Sequence, residues 1–522
     1  MSLIPHNNHL GHWPQRLLHV PSLTSYEWRP GNIYGNTSCP IYNILTYTSG
    51  SYKILPHEFP SIPPLRINNI PWAVPRVHPH HFTPDQLLAA LNQARGWSLS
   101  SQGFLVAKTD WVWVDFACVD QRKDSPAANA EMGRQREIFK GATRVFAWLT
   151  DTRSRYLDAF YETLTELKNP MIGISAMDWC YDILREILAD PYFTSLWTLV
   201  EAALRPDAIL LSRGAKLTPL QSPHPPTYSQ ALSIQHLADL SLNFLTPTST
   251  LLSPSGAYIH NLLDHSGLKA IAMRNSTAVY IAALNRRCAR SHDRFYAIQS
   301  LFNLRIGSTA PGFTHIPFTT DDLSVQFAEE LLAHHPAMSQ MFIHTAPTFA
   351  NTGWGINNLS IFPSIPRRFC ISFRTSHPSC ELARLEMNGE TWGWFKGYTC
   401  HFTTFYNRCM DNEIHFYRGR ASFAVYLDAT SETAHCLEDR NTADSVKQRR
   451  LLRWLKKAFP KNLVVLEIQS VGEVSFGLVL LKKSGRKFEH YRRVGICFWE
   501  GEEISMRAGY PGEWMYRESF LG

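Results

Sequence analysis

Short apolar runs that alternate with helical periodicities dominate the first 215 residues. The runs lie at residues 42–47, 111–119, 144–149 and 208–212. Unbroken runs of this length are typical of strands buried on both faces of a parallel sheet. After the second run, Ser125 and Pro126 can begin a helix, because Ser caps a helix and Pro is tolerated in its first turn. The pattern indicates β-α-β units and therefore an α/β layer fold.

Two helices follow the third run. Apolar side chains repeat at helical spacing from residue 177 to residue 190, where Pro191 ends the pattern. The next helix begins near Ser195 and carries Trp197 and Glu201. These two residues are four positions apart, so we expect them on the same helical face.

Changes in composition divide the chain into four parts. Residues 1–38, rich in His, Pro, Gly and Asn, predict an irregular N-terminal extension. Residues 39–215 hold the α/β pattern, and a Pro-rich shift near residue 216 opens a mainly helical region, 216–340. Short β-branched runs in 341–522 predict a C-terminal β-rich or α+β domain.

A basic amphipathic helix is predicted at residues 445–459. It places Leu451, Leu452, Leu455 and Phe459 on one face, and Lys447, Arg450, Arg453 and Lys457 on the other. Such a helix can lie on an anionic membrane or in a partner's groove. The alternative is a surface helix that docks on its own domain and leaves its cationic face to solvent.

Composition narrows the cellular setting. The net charge of +7 over 522 residues is modest and interspersed, so we expect no nucleic-acid partner. The sequence shows no secretory leader and no apolar run near the roughly 20 residues that a membrane helix needs. Ten cysteines without a CxxC pair then favour free thiols in a reduced interior. We expect a non-membrane, cytoplasmic protein.

Common catalytic and metal-binding motifs are missing from the sequence. There is no GxxxxGK[ST], no GxGxxG after a strand, no HExxH and no GxSxG, which argues against an ATPase, a dinucleotide oxidoreductase and a zinc protease. His6, His9 and His12 share a three-residue spacing, but no acidic or thiol ligand accompanies them. The spacing of Cys400-His401, Cys409 and His415 matches no usual zinc pattern. We therefore predict no metal site.

The segment WVWVDFACVDQ at residues 111–121 carries the most specific signal. It resembles the strand and turn of the fungal heterokaryon incompatibility (HET) domain family, in which a Trp and an Asp precede a Cys and an Asp-Gln or Asn-Gln pair. Four more blocks occur in the family's order: YNILTYTSG, EMGRQREIFKGATRVFAWL, YFTSLWTLVEAAL and SHDRFYAIQSLFNL. The resemblance implies that residues 39–215 form a HET domain.

This sequence departs from the family pattern at two places. Thr48-Ser49-Gly50 ends the opening block, where family members usually carry a Trp before the Gly. Val200 stands where a glutamine often precedes the glutamate. Either change would weaken or inactivate this member if that side chain lines a site.

HET domains are similar in fold to Toll/interleukin-receptor (TIR) domains, flavodoxin-like modules of which some cleave NAD and others self-associate. Trp197 and Glu201 match the Trp-x-x-x-Glu spacing of the TIR enzymes, which implies a catalytic Glu201 and a Trp197 that walls the pocket. The structural alternative makes Trp197 a core anchor and pairs Glu201 with a neighbour such as Arg205. NAD is predicted only as the substrate of the enzyme, if the domain is one. The sequence predicts no cofactor.

Asp115, Asp120 and Gln121 are further pocket candidates, because they follow a strand at the edge where α/β sheets build crevices. Asp115 would be costly to bury unpaired, whereas turn chemistry accounts equally well for Asp120 and Gln121. Cys118 has no histidine nearby in sequence, so we expect a core residue and not a nucleophile.

Three functions remain open from sequence. The first is a protein of self/non-self recognition whose HET domain triggers programmed cell death or innate-immune-type signalling. The second is a TIR-like NAD glycohydrolase centred on Glu201. The third is a non-catalytic scaffold that binds protein partners or itself. An exposed Glu201 would favour the enzyme, and a buried or ion-paired Glu201 would favour the scaffold.

Overall fold

The chain folds into two compact units, Met1–Ala272 with Ala282–Leu323, and Met273–Ile281 with Ser324–Gly522. The computed structural model describes residues 10–48, 52–54, 58, 63–96, 108–166, 174–220, 231–243, 254–348, 353–357, 360–361, 363, 379–387, 390–411, 423–433, 445–471, 474–484, 489–500 and 514–521. The four-part division by composition stays a prediction.

A mixed sheet forms the centre of the first unit. Its strands are β1 (Arg16–His19), β2 (Thr24–Arg29), β3 (Ile33–Tyr34), β4 (Thr37–Ser38), β5 (Tyr42–Thr46), β6 (Trp111–Trp113), β7 (Val145–Trp148) and β8 (Ile209–Leu211). The order is β4-β3-β2-β1-β6-β5-β7-β8. Strands β6, β5, β7 and β8 are parallel neighbours, and β1 joins them antiparallel through β6. The α/β fold with a parallel sheet is confirmed at this level.

Helices separate strands β5 to β8 along the chain, and more helices follow β8. They are α1 (Pro84–Ala94), α2 (Asp115–Cys118), α3 (Pro126–Met132), α4 (Gln135–Gly141), α5 (Ser154–Glu166), α6 (Ile174–Leu188), α7 (Leu196–Leu204), α8 (Ile234–Asn243), α9 (Pro254–His265), α10 (Leu268–Met273), α11 (Ser276–Ala283), α12 (Asp293–Ile298) and α13 (Thr320–His334). Short 3-10 turns lie at Val20–Ser22, Pro191–Phe193, Gln299–Phe302, Gly307–Thr309 and Met338–Gln340.

The predicted strand at 111–119 is too long. The strand ends at Trp113, and α2 begins at Asp115. The Asp115 carboxylate accepts a hydrogen bond from the Phe116 backbone N–H at 2.7 Å, which favours a turn over an extended strand. Because Phe116, Ala117 and Cys118 of α2 are apolar and buried, the sequence pattern resembles one continuous strand.

The segment predicted to be irregular contains strands instead. Residues 16–38 form β1 to β4, with β2 paired to β1 over four residues. These strands lie at the outer end of the sheet, where one side of a strand faces solvent and its polar side chains hide the apolar period. Their conformation therefore depends on pairing with other strands, which the composition of the segment does not reveal.

A buried ion pair holds the start of this segment; we call Glu131 and Arg134 the N-terminal anchor. Their side chains lie 3.2 Å apart and are 1% and 9% exposed. Glu131 also accepts the Gln15 backbone N–H at 2.9 Å. Arg134 donates to the carbonyl oxygens of Gly11, at 3.0 Å, and Trp13. The first described residues are thus fixed to α3 and the loop after it.

The second unit is β-rich. Its strands are β9 (Ile343–His344), β10 (Ser360–Ile361), β11 (Glu381–Met387), β12 (Glu390–His401), β13 (Phe423–Leu427), β14 (Leu463–Val471), β15 (Val474–Ser484), β16 (Glu489–Glu500) and β17 (Trp514–Leu521), with helices α14 (Phe402–Asp411) and α15 (Ser445–Ala458). Strands β12, β14, β15 and β16 pair in that order, and β17 pairs with both β12 and β16. The pairing therefore closes on itself.

Helix α15 docks on its own unit. Leu451, Leu452 and Leu455 are at most 2% exposed and belong to a core with Phe405 of α14 and Trp499 of β16. The apolar face that insertion into a membrane would require is therefore occupied, and the docked alternative describes this helix. Among the described residues, no helix is both long and apolar enough to cross a bilayer.

Candidate functional site

The candidate site lies at the carboxyl ends of the parallel strands. From β5 the chain goes to β6 on one side of β5, and then to β7 on the other side. Such a reversal opens a crevice beyond the strand ends of an α/β sheet. Thr46 ends β5, and Asp115 follows shortly after β6.

Glu201 is held between two polar side chains. The Thr46 hydroxyl donates to Oε2 of Glu201, and the Gln135 amide donates to Oε1 at 3.2 Å. The residue keeps partial exposure, but burial of the carboxyl, together with the nearby charge of Asp115, raises the pKa of Glu201 to about 8. Glu201 is therefore mostly protonated at pH 7.

Tyr192 lies within electrostatic range of this carboxyl, and Arg286 fixes the backbone around Tyr192. Burial raises the pKa of the Tyr192 hydroxyl, and the nearby charge of Glu201 raises it further. Arg286 donates to the carbonyl oxygens of Tyr192, at 3.4 Å, and Ser195, at 3.3 Å. These bonds fix the turn that leads into α7 and therefore the position of Glu201.

Trp197 and Glu201 have different partners. The Trp197 indole bonds the carboxylate of Asp293, in the Asp-Arg-x-Tyr block downstream. The ion pair of Glu201 with Arg205, expected by the structural alternative, is not formed: Arg205 instead lies 2.8 Å from Asp207 and donates to the Phe139 carbonyl at 2.9 Å. Glu201 is thus hydrogen-bonded but not ion-paired within the described residues.

An open cleft lies beside this cluster, with about 500 Å³ of space when the adjoining solvent is included. Its walls are mostly apolar, with Phe82, Phe116 and several prolines, and its polar lining includes Lys53, Asp115 and Gln121. Glu201 and Trp197 are not among the described lining residues. The structure therefore brings Asp115 and Gln121 together at the cleft, whereas Glu201 does not belong to its described lining.

Gln121 fixes the turn that carries Asp115. Its amide nitrogen donates to the backbone carbonyls of Asp115, at 3.1 Å, and Val119, at 3.0 Å. Its amide oxygen accepts from Lys53 Nζ at 3.2 Å. Gln121 therefore links the backbone at Asp115 to the Lys53 ammonium, and all three residues line the cleft.

Asp120 points away into its own turn. Its side chain is 4% exposed and lies 2.6 Å from the Arg122 guanidinium, and it accepts from the Ser125 hydroxyl at 2.8 Å. Hydrogen bonding from Arg122 holds the pKa of Asp120 at about 2. Turn chemistry accounts for these contacts, and pocket membership of Asp120 stays a prediction.

Cys118 lies in the core. It is 2% exposed, and burial raises the pKa of its thiol to about 12, which disfavours the thiolate that a nucleophile needs.

The described residues contain no cluster of three or more His, Cys, Asp or Glu side chains that could hold a metal ion. Cys400 and Cys409 are buried in the core of the second unit, whereas His6, His9 and His415 lie outside the described residues.

Sequence reasoning missed Thr46, Gln135 and Tyr192. Each comes from a different segment, and their convergence on Glu201 is a tertiary property. One signal was available for Thr46: it is the last residue of the first predicted parallel strand, the position from which side chains reach a crevice.

Comparison with known protein families finds a match in the first unit. Residues 42–201 match the family model described as Heterokaryon incompatibility protein (HET). The matched range begins at the first residue of β5 and ends at Glu201. No curated protein and no solved structure matches the chain.

Proposed function

We propose that this chain, which carries a heterokaryon incompatibility (HET) domain at residues 42–201, acts in fungal self/non-self recognition. We also propose that this domain triggers cell death. The family supplies the incompatibility-type function. The fungal setting and the death response extend it to this chain.

The biochemical activity that we propose for this domain is cleavage of NAD between nicotinamide and ribose. The observation that carries it is the carboxyl of Glu201, held by Thr46 and Gln135 at the carboxyl edge of the sheet. The parallel strands have the order second, first, third, fourth along the chain, which is the beginning of the flavodoxin-like order. This order supports a TIR-like architecture for the domain.

The chemistry requires negative charge where the ribose becomes cationic. Breaking the glycosidic bond develops oxocarbenium character, and a nearby carboxylate stabilises it. Glu201 starts out largely protonated, but a bound pyridinium cation favours the ionised form of a neighbouring carboxyl. Binding of the substrate would therefore ionise the Glu201 carboxyl, and the negative charge would form where the ribose becomes cationic.

The test is nicotinamide release by the purified chain and by Glu201→Gln. The exposed Glu186 on α6 provides the matched control, Glu186→Gln. We expect release by the wild type and the control, and a loss of about 10²-fold or more in Glu201→Gln. Equal release from all three proteins would remove Glu201 from the mechanism, and no release even at high protein concentration would reject the enzyme.

A non-catalytic scaffold is the second candidate, and one observation favours it. Glu201 is not among the described residues that line the cleft, so its bonds to Thr46 and Gln135 can serve packing alone. A scaffold would bind protein partners or itself. Light scattering over a concentration series would then show self-association that Glu201→Gln leaves unchanged.

A further inference from the structure

The carboxylate that faces the open cleft belongs to Asp115. Asp115 lines the cleft together with Phe116 and Gln121, and it is partly exposed. Glu201 lies within electrostatic range of Asp115 but outside the described lining. A ligand that enters the cleft therefore meets Asp115 first.

One oxygen of Asp115 is available to a ligand. Oδ1 accepts the Phe116 backbone N–H at 2.7 Å, whereas Oδ2 has no hydrogen-bond partner among the residues that the structure describes. The backbone of Asp115 is held at the same time by the Gln121 amide at 3.1 Å. The carboxylate is thus oriented by its neighbours and still has an unused acceptor.

We propose that Asp115 is the catalytic carboxylate that contacts the substrate, and that Glu201 is a positioning residue behind it; this rests on the proposed cleavage of NAD. Glu201 acts through Thr46 and Gln135, which connect the end of β5 to α4. The resemblance alone assigns the contact to Glu201, and the cleft reverses the two roles.

The polar lining also indicates the orientation of the substrate. Lys53 donates to the Gln121 amide oxygen, and the Gln121 amide nitrogen donates to the backbone carbonyl of Asp115, so one amide holds a cation near the segment that carries the Asp115 carboxylate. A phosphate fits beside Lys53, the ribose and its cationic ring fit beside Asp115, and a flat ring can stack on Phe116. The fitting ligand class is a phosphate-bearing nucleotide with a positively charged leaving base.

The reaction step balances with water as the second reactant. The bond between ribose C1′ and the pyridinium nitrogen breaks, and its electron pair stays on the nitrogen, so that nicotinamide leaves neutral. The oxygen of a water molecule bonds to C1′, and the Asp115 carboxylate takes one proton from that water. The proton then passes to solvent, giving ADP-ribose, nicotinamide and one proton.

The experiment compares Asp115→Asn, Glu201→Gln and the control Asp124→Asn in the full chain. Asn at 115 keeps the acceptor for the Phe116 N–H. Asp124 is 74% exposed and has a positive φ of 56°, a conformation that Asn tolerates. Two quantities are measured: kcat and KM for NAD, and the Kd for ADP-ribose by calorimetry.

We expect Asp115→Asn to weaken ADP-ribose binding about tenfold and to lower kcat at least as much as Glu201→Gln does. We expect Glu201→Gln to lower kcat and to alter the pH profile of kcat. The Kd for ADP-ribose should stay within about twofold of the wild-type value. Asp124→Asn should match the wild type in every quantity.

The inference is overturned if Asp115→Asn binds ADP-ribose like the wild type, or if the wild type does not bind it. The proposed function is judged separately. If the wild type binds ADP-ribose through Asp115 but releases no nicotinamide, the proposed hydrolase activity is wrong. The proposed contact between Asp115 and the ligand would then still stand. Turnover that is lost in Glu201→Gln but intact in Asp115→Asn would keep the hydrolase and reject the exchange of roles.

Discussion

Glu201 should couple stability to pH. In the unfolded chain this carboxyl titrates near its ordinary value of 4.5, and in the folded chain near 8. The folded state therefore binds the extra proton between these values, so its contribution to stability is present below about pH 4.5 and is lost as pH rises through 8. We expect the Tm of the wild type to fall more steeply from pH 6 to pH 9 than that of Glu201→Gln, measured by scanning calorimetry. Parallel Tm curves would contradict a buried acid at this position.

Asp120 should matter for stability and not for the cleft. The pKa of Asp120 is lowered to about 2, so its stabilisation is present above about 3.8 and is lost as pH falls through 2. Its partner Arg122 is 60% exposed, and solvent screens the pair. Asp120→Ala should cost about 1 kcal/mol in chemical unfolding and leave the Kd for ADP-ribose unchanged. A weakened Kd with intact stability would place Asp120 in the pocket.

Residue identities were predictable where a side chain acts alone, and not where it acts in a group. The core position of Cys118 followed from the missing neighbouring base. The carboxyl of Glu201 was found by its spacing from Trp197, but its hydroxyl and amide partners, Thr46 and Gln135, lie 155 and 66 positions away. Sequence spacing carries no distance information across such separations.

Helix α15 is stabilised by one of its faces. Leu455 is fully buried, so Leu455→Ala should lower the free energy of unfolding by about 2 to 5 kcal/mol through lost burial and a cavity. Arg453 is exposed on the same helix, and Arg453→Ala should change it by less than about 0.5 kcal/mol. Urea unfolding of both variants measures the difference. Equal effects would mean that the helix does not dock as described.

The N-terminal anchor should behave as a coupled pair. Glu131→Ala leaves the Arg134 guanidinium buried without its counter-ion and should cost about 3 kcal/mol. The double variant Glu131→Ala with Arg134→Ala removes the stranded charge as well. Its cost should therefore be clearly less than the sum of the two single costs. Additive costs in a double-mutant cycle would contradict a direct interaction.

At the level of elements, burial on both faces made β5, β7 and β8 visible in the sequence. The same rule extended β6 too far, because α2 is also apolar on every buried position. It missed β1 to β4, whose solvent-facing residues are polar. A run of apolar residues indicates that a segment is buried. It does not distinguish a strand from a short buried helix such as α2.

The two compact units do not follow the predicted boundary at 215. Residues 282–323 belong to the first unit, where Arg286 fixes the start of α7 and Arg136 donates to the Ser300 carbonyl at 3.1 Å. A fragment of residues 10–215 should therefore be less cooperative in thermal unfolding than a fragment of residues 10–323. Circular dichroism and limited proteolysis measure this. Equal cooperativity would support the boundary at 215.

The short stretch Met273–Ile281 packs with residues that are far ahead of it in the chain. It belongs to the unit that otherwise begins at Ser324, and its Tyr280 ring stacks on Phe327 at 5.4 Å. A ribosome makes Val279 and Tyr280, both almost fully buried in the finished protein, well before it makes most of their partners. During synthesis these side chains must therefore stay in water or be sheltered by a chaperone. The timing of translation past residue 324 then sets how long the nascent chain is exposed to aggregation.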